Sequence, residues 1–191
     1  MIRPLGLLML VSVVATGCAV SLIEPKPTTI DGTYTVQPQI KWASVPARKG
    51  LEVWTVDGPA LEAVTFVKGL GDGEALMKGP IPGAPDEDKR PKFRAQMTPS
   101  EIVELVTDSY VLFGAQKLET SSLRPAKFDT TDGFRFDIGW VTRSGLEMQA
   151  SAAGAVVKGK LQMIIYSGAR AHYFPKYRDD IERVFGSVKL L

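Results

Sequence analysis

The sequence predicts an α+β fold in which one curved antiparallel sheet of about six strands packs against two main helices. Strand-like segments follow one another as hairpins along most of the chain, and hairpin-connected strands pair in the antiparallel sense. Only two segments combine the apolar spacing of a helix with start and stop signals, and they do not alternate regularly with the strands. This separation of helices from strands is typical of α+β domains.

The first predicted hairpin covers residues 51–67. Residues 51–56 alternate between two faces, residues 61–67 form a second strand-like run, and Asp57, Gly58 and Pro59 are typical turn residues between them. The glycine- and proline-rich segment 69–97 follows, with charged residues at 86–92. We expect Leu76 and Met77 to hold part of this segment against the core, and the charged stretch at 86–92 to stay out of the interior as a mobile surface loop.

The most clearly specified element is a helix that begins after Thr98. Thr98 and Glu101 have the spacing of a capping box, and Pro99 occupies the first helical position. Gly114 is placed to end the helix. The apolar residues predicted to share its core-facing side are Ile102, Val103, Leu105, Val106, Tyr110 and Phe113.

A meander of four strands is predicted after this helix, at residues 117–123, 134–141, 146–152 and 161–167. Turns that end in glycine separate the strands at residues 132–133, 144–145 and 158–159. A second helix is predicted to start at Pro175 and to stop at Gly186, followed by a strand-like segment at 188–191. Its core-facing residues are Tyr177, Ile181, Val184 and Phe185.

The N-terminal residues predict export and a lipid anchor. Arg3 precedes an apolar run at residues 5–15, whose helical rise of about 16 Å is too short to span a bilayer but suits a signal peptide. Cys18, the only cysteine, comes directly after small residues. This order resembles a bacterial lipoprotein signal, which implies cleavage before Cys18 and acylation of its thiol. Ala19 in place of aspartate then favours the outer over the inner membrane.

An uncleaved membrane anchor is the rival interpretation, because residues 5–23 carry no charge. On the lipoprotein reading, residues 1–17 are the signal peptide, 18–47 the lipidated cysteine with an extended tether, and 48–191 a single α+β domain. The tether is rich in proline and threonine, which disfavour helix. Tyr34, Ile40 and Trp42 are expected to hold its later half against the domain, and a short strand at residues 33–36 is an alternative for that part.

Composition excludes several classes of function. The 191 residues include one cysteine and one histidine, which rules out an intrachain disulfide framework, a structural zinc site and a histidine-rich metal site within one chain. The 23 Lys and Arg residues nearly balance the 21 Asp and Glu residues, so no basic face for nucleic acid is indicated. We expect no metal and no cofactor.

No catalytic constellation is evident either. His172 is the only histidine base, and it lies at a strand-to-helix junction where a packing role is more common. The glycines at 69, 71 and 73 lack the helix and the lysine of phosphate-binding loops. The acidic groups around residues 129–137 and 86–88 lack the ligand spacing of a calcium loop. Asp180 is interpreted as a charge in the first turns of the second helix.

Roughly residues 51 to 189 resemble, in the order of their elements and their apolar spacing, the Mog1/PsbP-like domains, in which a curved antiparallel sheet is backed by helices. The residues that carry this resemblance after the meander are Tyr173, Phe174, Ile181, Val184, Phe185, Ser187 and Val188. The chain as a whole resembles a family of proteobacterial lipoproteins through Trp-x-Val-Asp-Gly-Pro-x-Leu at residues 54–61 and Gly-x-Gly-Asp-Gly at 69–73. The resemblance implies an accessory protein and transfers no catalytic residue.

Two functions follow as hypotheses. The first is a non-enzymatic lipoprotein, held by its lipid at the periplasmic face of a membrane, that binds an envelope protein or supports an envelope complex. The alternative is a carrier of an apolar ligand such as a lipid or cell-wall precursor. In either case we expect the ligand or partner surface to include Trp54, Phe66, Trp140 and Tyr166, on a concave sheet face covered by the glycine-rich loop.

Overall fold

The computed structural model describes residues 20–191. Cys18 and the predicted signal peptide lie outside the described residues. Eleven strands and two α-helices make up the described part of the chain. They are β1 (Ser21–Ile23), β2 (Thr28–Ile30), β3 (Tyr34–Val36), β4 (Trp42–Val45), β5 (Leu51–Thr55), β6 (Glu62–Leu70), α1 (Pro99–Leu112), β7 (Gln116–Phe128), β8 (Thr131–Val141), β9 (Glu147–Val157), β10 (Lys160–Ala169), α2 (Tyr173–Gly186) and β11 (Lys189–Leu190).

The main sheet is antiparallel and has eight strands in the order β1-β4-β5-β6-β10-β9-β8-β7. A second, three-stranded sheet has the order β11-β3-β2. The predicted α+β class, the antiparallel pairing and the two main helices are therefore confirmed, but the prediction of about six strands is too low. The extra strands β1 and β4 come from the segment that was expected to be a tether.

The N-terminal segment belongs to the domain. Residues 21–45 form four strands, and Tyr34 and Trp42 are completely or almost completely buried. Asp180 of α2 accepts hydrogen bonds from Trp42 Nε1 at 3.2 Å and from the Gln39 backbone nitrogen at 2.9 Å. The core thus includes residues N-terminal to position 48, and an extended tether over 18–47 does not describe this part of the chain.

Both faces of the main sheet are covered. One face packs against α2 and the small sheet around a core that includes Tyr34, Trp42, Trp54, Phe66, Tyr166, Ile181 and Val184. The other face packs against α1 and the segment between β6 and α1 around a core that includes Leu76, Phe93, Ile102, Val106, Phe136, Ile138 and Met163. Strands covered on both sides bury nearly continuous apolar runs, as β6 and β10 do.

The helix signals are confirmed in α1. The Thr98 hydroxyl accepts from the Glu101 backbone nitrogen, while the Glu101 carboxylate accepts from the Thr98 backbone nitrogen at 2.7 Å. Gly114 follows the helix with a φ of +86°, a conformation that suits glycine at a helix end. Helix α2 begins at Tyr173, two residues before the predicted start at Pro175.

The segment between β6 and α1 is organised around a buried arginine. The Arg90 guanidinium is almost fully buried and donates to the carbonyl oxygens of Pro85, Met77 and Gly79 at 2.7–2.9 Å. Phe93, Leu76 and Ile81 of the same segment are also buried. The expectation that the charged stretch at 86–92 stays out of the interior is wrong at Arg90. Its guanidinium can be buried because carbonyl oxygens of the same segment accept its hydrogen bonds.

One predicted turn is displaced. The β7–β8 turn lies at Asp129 and Thr130, and Asp129 takes a φ of +56°, rather than at residues 132–133. Gly133 lies inside β8, where a Cβ would overlap the backbone carbonyl of Gly154 on the neighbouring strand. Gly133 is needed there because the two strands approach closely. In the sequence, the same glycine after Asp132 has the pattern of a turn.

Candidate functional site

Three of the four residues predicted to form the ligand or partner surface are core residues. Trp54, Phe66 and Tyr166 are completely buried on the α2 side of the main sheet. The Trp54 and Phe66 ring centroids are 4.4 Å apart, and Trp54 Nε1 donates to Glu52 Oε1 at 2.7 Å. The Tyr166 hydroxyl donates to the Tyr173 carbonyl oxygen at 2.7 Å. These side chains fill the sheet face and leave no groove between them.

Trp140 lies on the opposite face of the sheet, where α1 packs. Its side chain is half-buried and meets the Tyr110 ring edge-on with 5.0 Å between centroids. The four predicted residues are therefore not brought together. Only Trp140 lines an open depression, and that depression is the candidate site.

The depression, which we call the α1 cleft, has a volume of about 640 Å³. It runs between the end of α1 and the β4–β5–β6 part of the sheet, and its size lies in the range of small-molecule pockets. Its lining is mainly apolar. The lining residues are Val45, Pro46, Ala47, Arg48, Leu51, Val53, Pro59, Ala63, Thr65, Met77, Tyr110, Phe113, Gly114, Ala115, Trp140, Thr142 and Ser167.

Phe113 forms part of the wall and remains 44% exposed. The guanidinium carbon of Arg48 lies 5.2 Å from the centroid of its ring, a cation–π arrangement. Arg48 Nη1 also donates to the carbonyl oxygens of Lys78 at 3.1 Å and Pro80 at 2.9 Å. These contacts fix the orientation of the guanidinium at one end of the cleft.

Several polar side-chain groups in the cleft are free for a bound molecule. The Tyr110 hydroxyl, the Trp140 ring nitrogen and the Thr65 and Ser167 hydroxyls form no hydrogen bond with any residue in 20–191. Burial raises the pKa of the Tyr110 hydroxyl well above its ordinary value, so it stays protonated and can donate. The cleft therefore combines apolar walls with unused donors and acceptors.

Phe113 and Arg48 were not predicted as site residues from the sequence. Phe113 was placed on the core-facing side of α1, but it is the C-cap residue, and its side chain leaves the buried stripe because the helix ends there. Its position directly before Gly114, the predicted helix stop, could have indicated that Phe113 lies at the helix end. No sequence pattern marks Arg48 as a site residue, because Phe113, which it contacts in the fold, is distant from it in the sequence.

A second polar cluster joins the β5–β6 turn to α2. Asp57 Oδ2 accepts from Lys176 Nζ at 2.7 Å and from the Tyr177 hydroxyl at 2.5 Å. The pKa of Asp57 is lowered mainly by the hydrogen bond from Lys176 and to a smaller extent by that from Tyr177. The pKa of Tyr177 is raised mainly by burial and to a smaller extent by its hydrogen bond to Asp57. These hydrogen bonds tie the β5–β6 turn to the start of α2.

The remaining chemical candidates are separate from the α1 cleft. His172 is exposed and caps α2 without a side-chain hydrogen bond. Asp129 accepts from Lys189 Nζ and from the Leu190 backbone nitrogen, and Asp132 pairs with Lys127. In residues 20–191, no three His, Cys, Asp or Glu side chains group closely enough to hold a metal ion. None of the helices in that range is long and apolar enough to cross a membrane.

Comparison with solved structures relates the fold to that of a PsbP protein. The chain matches cyanobacterial PsbP (CyanoP) from Synechocystis sp. PCC 6803 with a TM-score of 0.55 and 14% sequence identity, over 95% of this chain and 99% of that one. The fold is therefore PsbP-like, which confirms that part of the resemblance seen in the sequence.

A second structure is less similar. LpqN, involved in cell envelope biogenesis of Mycobacterium tuberculosis, aligns with a TM-score of 0.39 and 7% identity over 92% of this chain and 86% of its own. A likeness at this level supports no argument about fold or function. No family model and no curated protein matches the chain.

Proposed function

We propose that the chain is a lipid-anchored domain of the cell envelope that has no catalytic activity and binds a partner protein through the α1 cleft. The observation that carries this proposal is an open, mainly apolar cleft on a molecule whose other sheet face is filled. Trp54, Phe66 and Tyr166 are fully buried, whereas Phe113 keeps 44% of its surface exposed beside Trp140. Aromatic side chains in an open apolar depression are typical of protein-binding surfaces.

The anchor rests on the sequence around Cys18. The apolar run at residues 5–15, the small residues before the cysteine and the absence of any other thiol support lipidation of Cys18. Strand β1 begins at Ser21, so only residues 19 and 20 separate it from the cysteine. The proposed anchor would hold the β1 edge within roughly 10 Å of the membrane surface, since an extended residue spans about 3.3–3.6 Å.

Crosslinking in native membranes tests the partner. Ala47 is exposed at the rim of the cleft, so Ala47→Trp fills the cleft without removing a core side chain. The matched control is Thr29→Trp, at an exposed position of β2 in the small sheet on the other side of the molecule. We expect the same crosslinked protein, identified by mass spectrometry, with the wild type and with Thr29→Trp, and its loss with Ala47→Trp. Equal recovery from all three chains would contradict the proposal.

A carrier of an apolar ligand is the second candidate function, because the cleft volume of about 640 Å³ would accept part of an acyl chain. The open form of the cleft and its unused polar groups favour the partner protein instead. Lipid extraction from the purified chain separates the two. If a lipid copurifies with the wild type but not with Ala47→Trp, and no protein is crosslinked, the carrier function replaces the proposed one.

A further inference from the structure

We propose that the partner segment that enters the α1 cleft is acidic, with an apolar side chain flanked by carboxylates. This inference rests on the proposed function and names the chemistry of the partner at that site. The α1 cleft has a single charged lining residue, Arg48, and none of its lining residues carries a carboxylate. An apolar cleft with an uncompensated cation at its end selects a ligand with the opposite charge.

The Arg48 guanidinium is held in one orientation and has free donors for a carboxylate. Its Nη1 atom is engaged by the carbonyl oxygens of Lys78 and Pro80, and the guanidinium stands over the Phe113 ring. Its Nε and Nη2 atoms form no hydrogen bond or ion pair with any other residue in the described range 20–191. A guanidinium already held in one orientation loses little side-chain entropy when it binds a carboxylate.

A second cation borders the cleft without a carboxylate partner in the described part of the chain. Arg143 follows the lining residue Thr142 and covers Gly114, because a Cβ on that glycine would overlap Arg143 Nε. Lys49 and Lys78 do not line the cleft; they line a neighbouring depression that also holds carboxylates, and Lys78 is bound there by Glu74 at 2.8 Å. Arg48 and Arg143 therefore form a basic rim beside an apolar wall.

The unused polar groups favour a peptide over a lipid. A peptide backbone offers donors and acceptors to the Tyr110 hydroxyl, the Trp140 ring nitrogen and the Thr65 and Ser167 hydroxyls, which all line the cleft. An acyl chain would leave these groups without partners as it excluded water from them, and that carries a cost. The structure therefore fits an acidic peptide segment with an apolar anchor.

A library of random heptapeptides displayed on phage is the probe, selected against the full-length chain in detergent. We expect the enriched peptides to carry aspartate or glutamate beside a large apolar residue. The wild-type affinity of these peptides should weaken markedly from about 50 to about 500 mM salt, because exposed ion pairs are screened. No enrichment is expected against Ala47→Trp.

Charge variants separate the acidic preference from cleft binding. Arg143→Gln removes an exposed cation without touching the core, and Arg48→Gln removes the oriented one. Each should weaken the selected peptides by about 10-fold, a change of about 1.4 kcal/mol. Arg178→Gln, at an exposed position of α2, is the matched control and should change nothing. Arg48→Gln also leaves the carbonyl oxygens of Lys78 and Pro80 without their donor, which could unfold the chain. If the Arg48→Gln chain unfolds, the result for Arg143→Gln decides the test.

Three results would overturn the inference. Neutral peptides whose binding is insensitive to salt and to Arg143→Gln, yet lost in Ala47→Trp, would overturn the acidic preference and leave the proposed function standing. Equal selection of peptides by the wild type and by Ala47→Trp would overturn both. If short-chain phosphatidylglycerol binds with the arginine dependence described and no acidic peptide is enriched, the occupant is an anionic lipid.

Discussion

Buried charged residues organise two local turns and loops of this chain, and one of them joins parts that are distant in sequence. Arg90 binds three carbonyl oxygens of the segment between β6 and α1, and Asp180 binds Trp42 and the Gln39 backbone. Glu62 Oε1 accepts from the Thr55 hydroxyl and from the backbone nitrogens of Val56 and Asp57 at 2.6–2.8 Å. Buried charges of this kind persist because each has several specific partners.

None of these three residues could be identified from the sequence. Asp180 has the position of an ordinary helix charge, and Arg90 lies in a run of charged residues that is typical of an exposed loop. Their partners are mostly backbone groups, with one indole and one hydroxyl, that the fold brings close, and backbone groups have no sequence signature. The large apolar residues were identified correctly as core candidates, but the face on which each lies depended on the topology.

The Arg90 contacts predict a specific loss of order. Arg90→Ala leaves the carbonyl oxygens of Met77, Gly79 and Pro85 without their donor, which we expect to lower the free energy of unfolding by about 2–3 kcal/mol. The segment 71–97 should become the first site of cleavage in limited proteolysis. The neighbouring Lys89→Ala is the control, since Lys89 is exposed. Identical urea midpoints and cleavage patterns for the two variants would count against this role of Arg90.

Gly114 offers a second test at a single position. Gly114→Ala places a Cβ at a φ of +86° and against Arg143 Nε, so we expect a loss of about 1–2 kcal/mol and a displaced Arg143. Gly186→Ala is the matched control, because Gly186 lies at the end of α2 with no neighbouring atom within 4 Å of the added Cβ. It should be neutral or slightly stabilising. Thermal unfolding of the two variants measures the difference, and equal melting temperatures would refute the argument.

At the scale of elements, local signals predicted most of the fold. The capping box of α1, the turn at Lys158 and Gly159, and the alternation of β8 all act between near neighbours in the chain, and all three elements form as expected. Of the N-terminal strands, only β3 was anticipated, as a possible short strand at residues 33–36; the others were missed because their segments are short and rich in proline. They become strands through pairing with one another and with β5, and β3 also pairs with β11, which is distant in sequence.

The N-terminal strands should therefore be essential for folding. A chain of residues 48–191 lacks the buried side chains of Ile30, Tyr34, Val36 and Trp42. Burying each large apolar side chain contributes about 1.5–3 kcal/mol, so the loss approaches the whole net stability of a domain, about 5–15 kcal/mol. We expect residues 20–191 to unfold cooperatively in urea and residues 48–191 to show no such transition. A cooperative transition in the shorter chain would restore the tether interpretation.

The contact between the β5–β6 turn and α2 should depend on pH. Hydrogen bonds from Lys176 and then Tyr177 lower the pKa of Asp57 in the folded state below the unfolded value of about 3.9. The ionised Asp57 carboxylate therefore stabilises the folded chain at pH values above its pKa in the unfolded state. This stabilisation is lost as the pH falls through the pKa of Asp57 in the folded state.

We therefore expect Asp57→Asn to lower the melting temperature at pH 7. The difference from the wild type should shrink as the pH is lowered below about 4, where Asp57 itself becomes protonated. Thermal unfolding of both chains between about pH 7 and pH 2 gives this comparison. A difference that stays constant over the whole range would show that the carboxylate charge does not contribute.

At the scale of the whole molecule, the two faces of the main sheet are covered differently. The α2 face is filled by buried aromatic residues, and the α1 face keeps an open cleft with a basic rim. Together with the proposed anchor at Cys18, this arrangement would present the cleft to envelope proteins from a fixed distance above the membrane. The sequence indicated the anchor and a binding role but could not identify the cleft, which depends on where α1 ends relative to β4 and β5.

The anchor is tested by its own substitution. Cys18→Ser removes the only thiol in the chain, so we expect no incorporation of radiolabelled palmitate and release of the protein from the membrane fraction. Release would also exclude an uncleaved transmembrane anchor at residues 5–23, which would not need the thiol. Labelling at the wild-type level, or unchanged membrane attachment, would contradict the lipoprotein interpretation.

The most direct test of the central claim is a footprint of partner contact on the two faces. Benzoylphenylalanine is placed at Phe113 in the α1 cleft and, as the aromatic control, at Tyr173 at the start of α2, and native membranes are irradiated. The account predicts a defined protein adduct from position 113 that disappears when Ala47→Trp is added, and no such adduct from position 173. Adducts of equal yield from both positions, or from position 173 alone, would contradict it.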